Sequence, residues 1–97
     1  MATIHWSVLA KEDYWNNIDY LLREWTQEEA LNFIAKVDEY LNIISQKPKT
    51  FKSTGYKNVH VVPIVAQISL FYRIVDKNNV ELVRFWNNFK NPEKLKL

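Results

Sequence analysis

The chain of 97 residues is 47% hydrophobic and 14% aromatic: the length of one domain, residues 1–97, with enough apolar material for a modest core without metal or crosslinks. It contains no cysteine, which excludes disulfides, a thiolate metal site and a cysteine nucleophile, and no apolar run approaches the ~20 residues that span a bilayer. The net charge of +2 is unevenly spread: residues 1–46 set Lys11, Arg23 and Lys36 against eight carboxylates, a net of −5, whereas residues 47–97 set ten basic side chains against Asp76, Glu81 and Glu93, a net of +7.

The opening Met1-Ala2-Thr3-Ile4-His5-Trp6 lacks the basic start and apolar centre of a signal peptide, so the expected setting is the cytoplasm, without membrane contact. Thr3 to Ser7 reads as a short strand with Ile4 and Trp6 on one side and His5 on the other. Ser7 is placed to cap a helix, along which Tyr14, Trp15, Ile18, Leu21, Leu22 and Trp25 form one broad apolar stripe. Thr26-Gln27-Glu28-Glu29 has the form of a reciprocal capping box, so a second helix starts almost where the first ends, its stripe made of Ala30, Phe33, Ile34, Val37, Leu41 and Ile44. Helices joined this tightly predict an αα-hairpin. Gln46 to Lys57, with Pro48 and the single glycine, Gly55, reads as a loop. The period then becomes that of strands: Val59 to Ile64, with Pro63 marking an edge or a bulge, then Ile68 to Val75, and Val80 to Asn87. Asp76-Lys77-Asn78-Asn79 predicts a tight turn, because Asn tolerates the left-handed conformations that hairpin loops use. The tail from Asn88 is polar and basic. The expected class is α+β, in the order β-α-α-β-β-β, with the helical hairpin on one face of a small antiparallel sheet.

A basic half of this kind suits a polyanion, either nucleic acid or an acidic protein segment. Trp6, Tyr14, Trp15, Trp25 and Phe33 read as core and helix-packing residues. Phe51, Tyr56, Trp86 and Phe89 flank basic residues and are placed to stack on RNA or on a partner, although core packing is the first expectation for Trp86. His5 and His60 fall on separate strands with no third ligand in reach and no His-x-x-x-His spacing, so no metal is expected. One glycine cannot build a Gly-rich phosphate loop, and no cofactor is expected.

The order and spacing of these elements resemble the RelE/ParE-type toxins of bacterial type II toxin–antitoxin pairs, the plasmid stabilisation family. Members open with a strand ending in Trp-Ser, here Trp6-Ser7, and end their first helix near an aromatic residue, here Trp25. A loop after the second helix corresponds to 46–57, and a strand motif of aromatic, Tyr, Arg and aliphatic corresponds to Leu70-Phe71-Tyr72-Arg73-Ile74-Val75. The closing stretch from Val80-Glu81-Leu82 to Asn91-Pro92 is similar to the last strand and Asn-Pro-ended tail of one branch.

The resemblance implies a toxin neutralised by a cognate antitoxin. Relatives that cleave messenger RNA on the ribosome hold the phosphate with positive side chains and transfer protons with a second group. Arg73 stands at the position of their strand arginine and is the implied catalytic candidate, its donor fork suited to phosphate; read from its residue type alone, it is first expected to pair with a carboxylate or to lie solvated on the sheet. Lys49, Lys52, Lys57, Arg84 and Lys90 are candidate contacts to nucleic acid or target. Active nucleases often place His, Tyr or Arg at the end of the last strand, where this chain has Asn87, Asn88 and Phe89. Asparagine cannot shuttle a proton, and the nearest charge, Lys90, is of a residue type that makes a poor general base at neutral pH. That departure sits more easily with the ParE branch, which blocks DNA gyrase by protein contact. Three functions stay open: a toxin binding gyrase through the helical hairpin and tail, a ribosome-dependent endoribonuclease using Arg73 with Lys49, Lys52 or Lys90, and a degenerate member retaining only antitoxin binding. Each implies an antitoxin whose acidic or amphipathic segment wraps the basic half as a helix or an added strand, in a hetero-oligomer.

Overall fold

The computed structural model describes residues 1–97, and its elements run β1 (Thr3–Trp6), α1 (Val8–Glu24), α2 (Gln27–Gln46), a 3₁₀ turn at Pro48–Thr50, β2 (Lys52–Ser53), β3 (Val59–Val65), β4 (Ile68–Asp76), β5 (Asn79–Asn87) and a last 3₁₀ turn at Pro92–Lys94. Two helices pack on a five-stranded sheet ordered β1-β5-β4-β3-β2. The expected α+β order is present, with two additions. Within the stretch read as loop, Lys52 and Ser53 pair with Val61 and His60 as an edge strand. The sheet is also mixed, since β1 lies parallel to β5 while all other pairs are antiparallel.

Both helix starts follow from local chemistry. The Ser7 hydroxyl accepts from the Ala10 N–H and the Thr26 hydroxyl from the Glu29 N–H, each at 3.0 Å, satisfying donors that the first helical turn leaves orphaned. The second helix buries Ala30, Phe33, Val37 and Ile44 as its periodicity predicts. The first buries less than expected: Ile18 and Leu21 enter the core, but Trp15 is 64% exposed, Leu22 50% and Trp25 46%. The stripe is broader than the face one sheet and one helix can cover, so part of it is left in water.

The core lies between the hairpin and the near face of the sheet, where Phe33, Val37, Ile44, Leu70, Tyr72, Val80, Leu82 and Phe85 meet. Fully burying one such side chain stabilises the fold by about 1.5–3 kcal/mol. An irregularity opposite Phe71 and Tyr72 pairs them with Arg84 and Leu82, leaving Val83 unpaired. This bulge shifts the alternation by one residue, so Leu82 and Phe85 both face the core, and Arg84 and Trp86 fall with Phe71 and Ser69 on the far face. Trp86 is buried, under the Arg84 and Lys90 cations 5.4 and 5.9 Å from its ring.

The β4–β5 turn forms where expected, by another device. The Asp76 carboxylate accepts from the Asn78 N–H at 2.8 Å and from the Asn79 amide at 3.0 Å. The left-handed residues are Lys57, Asn58 and Gly55, in the loop before β3. At the other side of the sheet, buried Tyr72 donates its hydroxyl to the Pro48 carbonyl at 2.6 Å and stacks its ring on His60, whose Nδ1 bonds the Phe51 carbonyl. These contacts pin the 47–53 segment to the sheet.

Candidate functional site

Strand alternation sends Leu70, Tyr72 and Ile74 toward the helices and Phe71, Arg73 and Val75 to the far face, which no helix covers. Arg73 is opposite Glu81 on β5, and Glu81 is opposite His5 on β1. The three side chains therefore form one row across the sheet, with neighbours ~5 Å apart at Cβ. Arg73 donates Nη1–H to Glu81 Oε1 at 3.2 Å and Nε–H to the Lys57 carbonyl at 3.2 Å, leaving its Nη2 without a protein partner. Their side chains stay 27% and 38% exposed. His5 shares a 2.9 Å hydrogen bond with the Asn79 side-chain oxygen. The row holds a cation, a carboxylate and an imidazole in reach of solvent. Residue order alone hid it, because a parallel pairing between β1 and a strand more than seventy residues away leaves no local signal.

At the other end of β5 the arginine is committed. Arg84 makes a two-pronged ion pair with Asp13 of α1, Nε to Oδ2 at 2.6 Å and Nη2 to Oδ1 at 2.9 Å, with side chains 16% and 13% exposed. That pairing raises the guanidinium pKa above its already high value. The same carboxylate accepts the Phe85 N–H, and Asn17 donates to the Phe85 carbonyl. The Ser7 N–H and hydroxyl serve the Leu82 and Val83 carbonyls. Beyond Trp6, where β1 ends, α1 thus supplies the hydrogen bonds that an edge strand would otherwise lack.

Asn87 and Asn88 are structural in the same sense. The Asn87 side chain accepts the Phe89 N–H, and its carbonyl accepts the Lys90 N–H. Asn88 donates to the Ala66 carbonyl and accepts from Ser69. Because Glu81 pairs with Arg73 and Asn87 with Ile68, six residues of strand separate the two sites, ~20 Å at 3.3 Å per residue. Arg73 and Lys90 do not converge on one phosphate.

The remaining lysine candidates lie around the turn end. Lys49 is exposed in the first 3₁₀ turn, Lys52 lies exposed on β2, and Lys57 stands with its ammonium 5.2 Å from the Tyr56 ring. Lys49 lines a cavity with Ile74 and Lys77. Lys52 and Lys57 line none of the cavities. No three His, Cys, Asp or Glu side chains are grouped to hold a metal ion, and no helix is long and apolar enough to cross a membrane.

A family model described as the ParE toxin of the type II toxin–antitoxin system parDE matches residues 4–90. The chain belongs to the ParE toxin family. Solved structures share its fold. A protein of the chromosomal ParDE toxin–antitoxin system of P. aeruginosa superposes with a TM-score of 0.72 at 17% identity, over 90% of this chain and 96% of that one. The YoeB dimer of Staphylococcus aureus gives 0.62 at 19% identity, over 91% and 98%. The YoeB/ParE toxin of Agrobacterium tumefaciens gives 0.59 at 12% identity, over 92% and 100%. No curated protein matches the sequence. This ParE-family chain is thus a toxin of a type II system, built on the strand, hairpin and sheet its neighbours share.

Proposed function

We propose that residues 1–97 act as one toxin domain, silenced by a cognate antitoxin, that arrests growth by binding DNA gyrase rather than by cutting RNA. The supporting observation is the end of β5. There Asn87 and Asn88 are spent on backbone hydrogen bonds and Arg84 on Asp13, so the strand end itself offers neither a free arginine nor a side chain suited to proton transfer. A solved relative of the YoeB type is a complex with its partner YefM in Staphylococcus aureus, which supports an antitoxin for this chain too. The test is inducible expression with and without the neighbouring reading frame. Growth arrest with intact transcripts and accumulating DNA breaks, relieved by the neighbour, is the expected result. Codon-phased transcript cleavage would sink the binding mechanism.

One observation favours a second reading, RNA cleavage: the His5–Glu81–Arg73 row on the open sheet face. There Glu81 would take the proton of a 2′-hydroxyl, Arg73 would hold the phosphate through its unpartnered Nη2, and protonated His5 would return a proton to the departing 5′-oxygen. The product would be a 2′,3′-cyclic phosphate. Under this reading His5→Ala and Glu81→Gln each abolish cleavage while leaving the melting temperature nearly unchanged. Cleavage that survives both removes the row from consideration.

A further inference from the structure

Lys47, Lys49 and Lys77 form no ion pair, yet they surround one cavity. It lies between the end of α2, the Pro48–Thr50 turn and the β4–β5 turn, has a volume of about 520 Å³, and is lined also by Pro48, Thr50, Ile74 and Asp76. A second cavity of about 320 Å³ continues it past Asn58 and His60, sharing Lys49, Ile74, Asp76 and Lys77. Together they make a groove whose rim is cationic. Its floor is apolar, since Ile74, the Pro48 ring and the lysine stems are hydrocarbon. Asp76, the single carboxylate lining it, does not neutralise the rim by ion pairing: the Asn78 N–H and the Asn79 amide engage it and hold its pKa below the usual range.

We infer that this groove is the docking socket for an acidic protein segment that seats one apolar side chain over Ile74 and sets carboxylates against Lys47, Lys49 and Lys77. The inference rests on the toxin–antitoxin reading for the identity of the partner, the antitoxin, and on charge and shape for the chemistry. A single nucleic acid strand fits less well. Sites for unpaired bases offer aromatic faces or guanidinium planes for stacking, and this groove has no arginine, while its one aromatic ring, His60, is already stacked on Tyr72. Lysines are compact point charges that bind carboxylates without a set bidentate geometry, as a segment ordering on contact requires.

The test uses the full chain and a fluorescein-labelled short peptide of Glu and Asp around one central Leu. Saturable binding is expected, with amide NMR shifts concentrated at residues 47–50 and 74–77. The double variant Lys49→Glu/Lys77→Glu, shown folded by circular dichroism, should bind about tenfold more weakly. Exchanging the central Leu for Ser should weaken binding about fivefold, and an oligouridine of equal charge should not displace the peptide. Shifts located elsewhere, unchanged binding by the double variant, or displacement by oligouridine would each overturn the socket, the last by making it a phosphate groove. The readout is separate from toxicity: a chain that arrests growth but fails here keeps the toxin reading and loses the socket, and the converse result does the opposite.

Discussion

The two ends of the β4–β5 hairpin treat arginine in opposite ways. Near the turn, Arg73 shares one hydrogen bond with a partly exposed Glu81 and keeps donors free. Near the strand end, Arg84 is locked onto Asp13 by two short bonds, in a pair that also holds the Phe85 N–H. The first arrangement leaves charge available to a ligand. The second uses charge to join a helix to an uncovered strand edge, where the surroundings exclude most water and each bond is correspondingly stronger. An arginine on a sheet is therefore not a site until its partners are known.

The contrast makes an ordered set of predictions. The largest effect belongs to Asp13→Ala, which strands a mostly buried guanidinium and the Phe85 N–H. It should cost about 3 kcal/mol of stability, read as a lower urea midpoint at unchanged slope. Tyr72→Phe comes next, at about 1–2 kcal/mol, because the Pro48 carbonyl loses its donor. It also carries a pH signature. Burial pushes the Tyr72 hydroxyl up to about 12 from its ordinary 10, so the folded state favours the protonated phenol. That contribution is complete below pH 10 and is lost as pH rises from 10 toward 12; wild type should lose stability across this window more steeply than Tyr72→Phe. Thr26→Ala, which removes the cap of α2, should cost about 1 kcal/mol by thermal unfolding. Arg73→Gln should be the mildest, under about 1 kcal/mol, since a half-exposed pair contributes little. If Arg73→Gln proves as damaging as Asp13→Ala, the two ends do not differ in the way proposed.

Much of the fold was legible because its causes are local. Ser7 and Thr26 mark the helix starts through hydrogen bonds that reach only three residues ahead, and the apolar spacing of α2 matches the side chains it buries. Turn residues located the β4–β5 hairpin, although the turn closes through the Asp76 carboxylate and not through left-handed asparagines. The candidate site was less legible. Periodicity measures how much of a helix is apolar, not how much its neighbours cover, which is why Trp15 and Leu22 were expected inside and are exposed. Local rules likewise could not see the two-residue β2, whose pairing is with β3 and not within its own stretch.

By itself, then, the sequence determined the α+β class, both helices with their caps, the place of the hairpin and the family resemblance, all of which depend on residues close along the chain or on the order of elements. Only the tertiary structure decided that β1 runs parallel to β5, that a bulge at Val83 turns Arg84 and Trp86 to the far face, and that Arg84 is joined to Asp13 while Arg73 is left half free. The reason is physical: which charges are engaged depends on partners that the fold brings together, for Arg84 from 71 residues away, and no local preference encodes that distance.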